Sequence, residues 1–209
     1  MKKLKKLVQH YGCFGIVVLC KDFFLKSLVL PQARFVRFPF EIRGRQGIEI
    51  GKNFTTGRYC RLEAYAECSN EKVLKIGQNC QLNDSVHIVA RKNVVIGNNV
   101  LIASRVFISD LNHGNYSGEG EHSSPCSIVA ERPLFDSPVV IGDNTWIGEN
   151  VSILPGVSLG KNCIVGANAL VNKSFPDNSI IGGNPAVLIK SFDYSSNCWV
   201  NIKESIRKK

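Results

Sequence analysis

The sequence contains no CxxC pair, and its eight cysteines among 209 residues do not make the dense disulfide framework of a small secreted domain. The first 20 residues have a basic start and an apolar run, as signal peptides do, but no small-residue cleavage site follows them. Lys21, Asp22 and Lys26 interrupt the apolar run, which is far shorter than the roughly 20 residues of a membrane span. These absences predict a cytoplasmic protein whose cysteines stay reduced.

The N-terminal segment, residues 1–40, is predicted to be helical or extended, and two interpretations of its apolar residues stay open. In the first, a helix packs on the domain or on a neighbouring subunit. In the second, the segment makes a peripheral contact with the inner face of a membrane. A buried apolar stripe and a lipid-facing one have the same pattern in a sequence, so the pattern does not separate them.

The formal net charge of +9 does not have the distribution of a nucleic-acid-binding surface. Nine of the 26 lysines and arginines lie in residues 1–6 and 190–209, and no basic stripe interleaved with aromatic residues occupies the middle. We therefore expect no nucleic-acid partner. Anionic lipid, anionic glycan and the phosphates of a cofactor are the partners that the charge favours.

Aliphatic residues recur at every sixth position from Ile50 onward, a period that fits neither an α-helix nor a simple alternating strand. One run of six such lead residues is unbroken, and three earlier triplets keep the same spacing. The leads are Ile141, Ile147, Ile153, Leu159, Val165 and Val171, and before them Ile50, Thr56, Leu62; Ile76, Leu82, Ile88; and Ile96, Ile102, Ile108. A small or β-branched residue usually stands four positions after each lead, as at Cys60, Cys80 and Cys163, so both positions are predicted to point inward.

The repeat predicts a β-solenoid. Six residues per side and three sides per turn make a coil of 18 residues, so the leads form five coils and a partial coil near Ile181. At about 4.8 Å per strand, five coils make a prism on the order of 24 Å tall. A glycine follows many leads directly, as at Gly77 and Gly142, and we expect it to use its backbone freedom in a tight turn.

The repeat breaks after Ile108, where about residues 110–138 must leave the prism as an external loop. Loops this long in compact domains are usually functional. The predicted organisation is an N-terminal segment of residues 1–40, a β-helix of residues 41–190 that carries the loop, and a tail of residues 191–209. The basic end of the tail is expected to be a short amphipathic helix or disordered.

The stretches VVIGDNTWIGENVSILPGVSLGKNCIVGANALV and IIGGNPAVLIK resemble the hexapeptide-repeat acyltransferases, and the resemblance covers about residues 40–190. It implies an all-β fold, a left-handed parallel β-helix, and a homotrimer with sites between subunits. The stretches FPFEIRGRQGIEIGKNFTTGRYCRLEA and ISDLNHG are similar to the branch that O-acetylates bacterial surface polysaccharides. That branch implies transfer of acetyl from acetyl-CoA to a sugar hydroxyl of an O-antigen, capsule or exopolysaccharide, or of its precursor.

His113 lies five positions after Ile108, at a corner and at the root of the long loop, and it matches the family's catalytic histidine. An imidazole can accept the proton of an attacking hydroxyl near neutral pH. Asn83, which lies 30 residues earlier, matches an asparagine that contacts the acceptor in galactoside-type members. The alternative for Asn83 is a corner residue that tolerates a left-handed turn. Asp84 and Asp110 are weaker candidates for acceptor binding.

The resemblance also implies a groove for acetyl-CoA, the acyl donor. A flat indole and small side chains allow the thin pantetheine arm to lie along the coil edge, and lysines can meet the nucleotide phosphates. The residues that match family positions along the groove are Trp146, Gly148, Ala167, Asn172, Lys173 and Lys190. Small residues at Gly148 and Ala167 are also what a coil needs for its own packing.

Three alternatives stay open at the level of function. The first is N-acetylation of an amino sugar, and the second is a non-catalytic solenoid that binds glycan or membrane. The third is a zinc enzyme of the γ-carbonic anhydrase type, in which His87, His113 and His122 would bind the metal. The resemblance favours O-acetylation without a metal, because a hydroxyl needs a base such as His113 more than a free amine does.

Overall fold

The computed structural model describes residues 2–68, 70–118 and 120–202. From Phe35 onward, short strands stack into three parallel sheets that form the faces of a prism, here named A, B and C. Each coil of the chain passes through face C, then face A, then face B, and the register places every lead residue directly over the next. The architecture is a parallel β-helix with five complete coils and partial coils at both ends.

Face A is the longest sheet, and it ends in a hairpin. Its parallel strands are Phe35–Val36, Thr55–Thr56, Gln81–Leu82, Leu101–Ile102, Trp146–Ile147, Ile164–Val165 and Ser179–Gly182. The strands Val187–Asp193 and Cys198–Asn201 then extend the sheet in antiparallel fashion. This hairpin forms the beginning of the predicted tail. The basic end of the tail, for which a helix or disorder was predicted, falls in residues 203–209 and lies outside the described residues.

Faces B and C complete the prism. The strands of face B are Phe40–Arg43, Cys60–Ala64, His87–Ala90, Phe107–Ser109, Ser152–Ile153 and Leu170–Val171. The strands of face C are Ile48–Ile50, Leu74–Ile76, Val94–Ile96, Val139–Ile141 and Ser158–Leu159. Because strands of faces A and B precede Ile48, the β-helix begins before the predicted boundary at residue 41. A 3-10 turn at Arg45–Gly47 leads into face C.

The core is the inward side of the three faces, as the six-residue period predicts. Every lead is buried, and Cys60, Cys80 and Cys163 are buried as free thiols between them. The polar lead Thr56 accepts a hydrogen bond through its hydroxyl from the Arg37 backbone N–H, at 3.3 Å, so its oxygen has a partner inside. Burial raises the pKa of the Cys60 thiol to about 11. This cysteine is a small apolar filler and not a nucleophile.

The prediction that the glycines after the leads use their backbone freedom in a tight turn was wrong. Gly77 and Gly142 do not have a positive φ. A Cβ on Gly77 would instead lie 2.5 Å from the Gly97 carbonyl oxygen, and one on Gly142 would lie 2.5 Å from the Gly160 carbonyl carbon. These positions need glycine because stacked coils touch there. The left-handed conformation falls two positions later, for example at Asn79, whose φ is 59°.

Helix α1 (Lys2–Val29) precedes the β-helix and is interrupted at Gly12, whose φ is 67°. Its C-terminal part contacts the coils through the buried carboxylate of Asp22, which lies 3.5 Å from a guanidinium nitrogen of Arg58. Many of its apolar side chains face solvent, and Phe14 is 81% exposed. Most of α1 therefore does not pack on its own domain. Among the described residues, no helix combines the length and the apolar character that crossing a membrane requires.

Candidate active site

The long loop leaves the end of face B and returns to face C. Its base is a two-stranded antiparallel sheet of Leu111–His113 and Leu134–Asp136, in which His113 pairs with Leu134. A 3-10 turn at Val129–Glu131 precedes the returning strand. The side chain of His113 is exposed, as the corner position predicts. A short β-ladder thus presents the imidazole beside the edge between faces B and C.

Hydrogen bonds and ion pairs that the sequence pattern did not predict hold the loop in its conformation. The Tyr116 hydroxyl donates a hydrogen bond to the His113 carbonyl oxygen at 2.7 Å, and a nitrogen of Arg132 donates to that hydroxyl at 2.6 Å. At the base of the loop, the Arg91 guanidinium lies 2.5 Å from Asp136 and 2.7 Å from Glu67. Through these two contacts Arg91 holds the loop to the preceding coil.

Asp110 does not face an acceptor, and its predicted role is corrected. The side chain is completely buried. Its carboxylate accepts hydrogen bonds from three successive backbone N–H groups, those of Arg91, Lys92 and Asn93, at 2.8–3.1 Å. A carboxylate with both oxygens occupied in this way anchors the turn below the loop and has no surface to offer a sugar.

Asn83 lies on a different edge, the one between faces A and B, immediately after the strand Gln81–Leu82. Its φ is not positive, since the left-handed residue of that corner is Ser85, with a φ of 59°. The turn alternative for Asn83 is therefore wrong. The amide oxygen accepts a hydrogen bond from the Gln81 side chain at 3.2 Å, and the residue remains partly exposed.

Asp84, which follows Asn83, is exposed and already fastens two coils together. Its carboxylate accepts a hydrogen bond from the Arg58 backbone N–H at 2.7 Å. Asn98, Asp143 and Asp177 make the same coil-to-coil bond elsewhere. Asp84 thus has a structural role that other coils fill with equivalent residues.

Four of the residues matched to the donor groove lie together on face A or on its edge with face B. Trp146 is 50% exposed and belongs to an outward row in which Ile164, Ile180 and Lys190 follow it strand by strand. Gly148 lies on the edge just below this row, where a Cβ would come within 2.7 Å of the Ala167 backbone nitrogen. Coil stacking alone accounts for the glycine at that position.

Asn172 and Lys173 lie apart from those four, on the B–C edge, just after the strand Leu170–Val171. Both are exposed, and the Lys173 ammonium lies 5.7 Å from the centre of the Phe175 ring. The site residues of one chain thus form two groups. The A–B edge holds Asn83 and the Trp146 row, and the B–C edge holds His113, Asn172 and Lys173. Face B separates the groups.

The histidines proposed as zinc ligands also lie apart. His87 is on face B, where its Nε2 lies 3.5 Å from the buried carboxylate of Glu63, and His122 lines a cavity under the loop. Burial and the neighbouring charge of Arg61 lower the pKa of His87. Within residues 2–68, 70–118 and 120–202, no three histidine, cysteine or acidic side chains cluster as metal ligands would. The three histidines of the zinc alternative therefore do not meet within one chain.

Comparisons with known proteins agree with this geometry. The model of a family described as "Bacterial transferase hexapeptide (six repeats)" matches residues 138–173. The chain is 41% identical over 194 residues to a protein of Escherichia coli (strain K12) named "Putative lipopolysaccharide biosynthesis O-acetyl transferase WbbJ". That alignment covers 93% of this chain and 97% of the relative.

Two solved structures are similar as well. A galactoside acetyltransferase in complex with coenzyme A is 31% identical, with a TM-score of 0.50 over 69% of this chain and 68% of its own. AntD, an N-acyltransferase from Bacillus cereus solved with dTDP and 3-hydroxybutyryl-CoA, has a TM-score of 0.64 over 89% of this chain and 93% of its own. AntD is only 20% identical, so it supports the fold alone, a left-handed β-helix. Identity of 41% across nearly the whole chain places this protein in the bacterial hexapeptide-repeat acyltransferase family.

Proposed function

We propose that this protein is an acetyl-CoA-dependent O-acetyltransferase that modifies a sugar hydroxyl of a bacterial surface polysaccharide or of its precursor. The observation that carries the proposal is the exposed imidazole of His113, which a short β-ladder holds at the B–C edge. The relative from Escherichia coli, whose name places it in lipopolysaccharide biosynthesis, supports a polysaccharide acceptor. The coenzyme A bound to the galactoside acetyltransferase supports the donor.

The reaction is a direct transfer. The imidazole of His113 accepts the proton of the acceptor hydroxyl while the oxygen attacks the carbonyl carbon of the acetyl thioester. Asn83 binds the acceptor or stabilises the oxyanion of the tetrahedral intermediate. When that intermediate collapses, the C–S bond breaks, CoA leaves as the thiolate, and His113 returns the proton to the sulfur. The three cysteines on the inner side of the coils are buried, so none of these three is available as the nucleophile of an acyl-enzyme.

The two groups of site residues lead us to propose a homotrimer with sites between subunits. A neighbour that brings its B–C edge against the A–B edge would add its own histidine to the Asn83 and Trp146 group. Closed threefold symmetry would repeat this contact three times and make three equivalent sites. Trp146 and the small residues on the A–B edge would then hold the pantetheine arm, while Lys173 and Lys190 would meet the phosphates.

Replacement of His113 tests the proposal. We expect His113→Ala to reduce acetyl transfer to surface-polysaccharide fragments by about 10²–10⁴-fold, because a positioned base contributes that much. CoA release, read with a thiol reagent, measures the rate. His122→Ala is the matched control, since His122 is exposed in the same loop. Unchanged transfer by folded, CoA-binding His113→Ala would contradict the assigned base, whereas absence of transfer by the wild type as well would favour a non-catalytic solenoid.

The acceptor atom separates O-acetylation from N-acetylation. A free amine needs less help from a base than an alcohol does, so an N-acetyltransferase would retain more activity without His113. Matched acceptors that differ only in a hydroxyl or an amine at one ring position decide between the two. Faster transfer to the amine would replace our proposal by the alternative.

The proposed location is the cytoplasm, at the inner face of the membrane. Phe14, Val17, Phe24 and Leu28 lie one or two turns apart on the solvent side of α1, and Lys21 lies among them. This pattern suits the interface of an anionic bilayer. Co-sedimentation with vesicles that contain anionic lipid, but not with neutral vesicles, is the expected result. Loss of the trimer in Phe14→Ser/Phe24→Ser would assign the face to a neighbouring subunit instead.

A further inference from the structure

A polar cavity of about 330 Å³ lies on the A–B edge beside Asn83. Its walls come from three successive coils and from the strand that begins the β-helix. The side chains that matter here are those of Arg37, Arg58, Gln81, Asn83, Asp84 and Ser104. Two of these carry positive charge and one carries negative charge, so the lining has an excess positive charge next to the proposed acceptor contact.

Of the two arginines that line the cavity, Arg37 has the less compensated charge. The side chain is half-buried, and its guanidinium carbon lies 5.3 Å from the centre of the Phe35 ring. No ion pair joins Arg37 to a carboxylate anywhere in the part of the chain that the structure describes. A half-buried guanidinium with an aromatic face behind it and no anionic partner is ready to bind an anion.

Arg58 also lines the cavity, and its side chain is held in place. One nitrogen donates a hydrogen bond to the Phe38 carbonyl oxygen at 2.7 Å, and another lies 3.5 Å from the buried carboxylate of Asp22. Asp22 is shared, since Lys21 lies 3.0 Å from its other oxygen. Asp84 in turn accepts its hydrogen bond from the backbone of Arg58, so two fixed contacts align the Arg58 side of the cavity.

The cavity is in line with the proposed donor groove. On the outward row of face A, Thr55 pairs with Gln81, Gln81 with Leu101, and Leu101 with Trp146. Two strand spacings separate Gln81 from Trp146, which is roughly 10 Å. A pantetheine arm that runs past Trp146 and Leu101 would bring its acetyl group to the Asn83 end of the cavity. A sugar with its hydroxyl at that end would extend into the cavity.

We infer that this cavity binds an anionic group of the acceptor, a phosphate or a carboxylate, between Arg37 and Arg58. The inference rests on the proposed O-acetyltransferase function and adds the class of acceptor, a sugar that carries a negative charge within about one ring of the acetylated hydroxyl. A phosphate would identify a nucleotide- or lipid-linked precursor. A carboxylate would identify a uronic acid of the polymer. Guanidinium groups bind both anions with the same paired hydrogen bonds.

Calorimetric titration of the trimer with saturating CoA tests this, because CoA keeps its own phosphate sites filled. The probes are inorganic phosphate, glucuronate and neutral glucose. We expect at least one anion to bind and Arg37→Gln to weaken it about tenfold. Arg34→Gln, an exposed arginine outside the cavity lining, is the control and should bind like the wild type. The Arg37 backbone bond to Thr56 survives the change, so the fold is retained.

The outcomes separate this inference from the proposed function. Preference for phosphate assigns a precursor, and preference for glucuronate assigns the polymer. Equal binding by Arg37→Gln and Arg34→Gln, or no anion binding at all, overturns the inference while acetyl transfer to neutral sugars leaves the proposed function standing. Anion binding that depends on Arg37, in a protein that transfers acetyl to no sugar, would retain the cavity and reject the O-acetyltransferase.

Discussion

The C–A edge of the β-helix repeats one pair of residues in every coil, whereas the A–B edge changes from coil to coil. On the C–A edge, the residue that touches the next coil is always glycine, and the residue with positive φ is always asparagine. The glycines are Gly51, Gly77, Gly97, Gly142 and Gly160, and the asparagines are Asn53, Asn79, Asn99, Asn144, Asn162 and Asn178. The asparagine side chains hydrogen-bond in a continuous ladder at 2.9–3.2 Å.

The A–B edge departs from this pattern in the coils that hold the cavity. Asn83 and Ala103 stand where the C–A edge has glycine, and Tyr59, Ser85 and Arg105 take the left-handed position. Only glycine and asparagine visit that conformation at low cost, so Tyr59 and Arg105 are strained choices. The C–A edge is thus the regular structural solution. Where the A–B edge departs from it, we expect function, and not stacking, to select the side chains.

The largest expected effect is on stability, from replacing a glycine that touches the next coil on the C–A edge. Gly142→Ala places a Cβ 2.5 Å from the backbone of Gly160, and overpacking of this kind should lower the free energy of unfolding by about 3 kcal/mol. Thermal unfolding measures the loss. Ala103→Gly, at the equivalent place on the A–B edge, is the control and should change stability by less than about 1 kcal/mol. If both variants were equally stable, the C–A edge would need its glycine no more than the A–B edge needs its alanine.

The ladder is the next test. Asn99 accepts a hydrogen bond from Asn79 at 3.0 Å, donates one to Asn144 at 3.1 Å, and has a φ of 57°. Asn99→Ala loses both bonds and strains the backbone, so we expect a loss of about 2 kcal/mol in the free energy of unfolding. Asn99→Gly keeps the conformation and should lose only part of that. Acetyl transfer by either variant should match the wild type at a temperature where both are folded.

Asn83→Gly makes one coil of the A–B edge resemble the C–A edge. If the amide serves the acceptor, transfer should fall about tenfold, the equivalent of 1.4 kcal/mol, while unfolding shifts little. Measurement of kcat and KM beside the melting temperature separates the two effects. Full activity in Asn83→Gly would show that the departure from glycine at this corner does not serve the reaction.

The smallest expected effect is a gain in stability. Tyr59→Asn relieves a left-handed aromatic residue, whose φ is 60°, and should stabilise the fold by up to about 1 kcal/mol. Tyr59 is exposed on the A–B edge, the edge that also holds Asn83. We therefore expect the gain in stability to be accompanied by weaker acceptor binding, read as a higher KM. Destabilisation by this change would mean that the tyrosine is retained for packing.

The repeat predicts the faces, the five coils and the loop, because one six-residue rule decides which side chains point inward. It does not predict the contacts that form outside the rule. Asp110 is buried by bonds to three backbone groups 17–19 residues earlier, and Arg132 reaches Tyr116 across the loop. Such contacts do not recur at a fixed spacing, so the repeat cannot predict them. The role of glycine was also missed, since close approach of coils and positive φ select the same residue.

The hairpin that closes face A has a consequence for the size of assemblies. A parallel stack with an open last strand is a template for another chain, and identical coils could polymerise end to end. Here the chain reverses at Val187–Asp193, and Cys198–Asn201 then becomes the outermost strand of the sheet. The hairpin extends face A alone, since faces B and C end at Leu170–Val171 and Ser158–Leu159, so a further coil would find no matching strands on those two faces. Growth along the axis is thereby discouraged, and association between copies is directed to the sides of the prism.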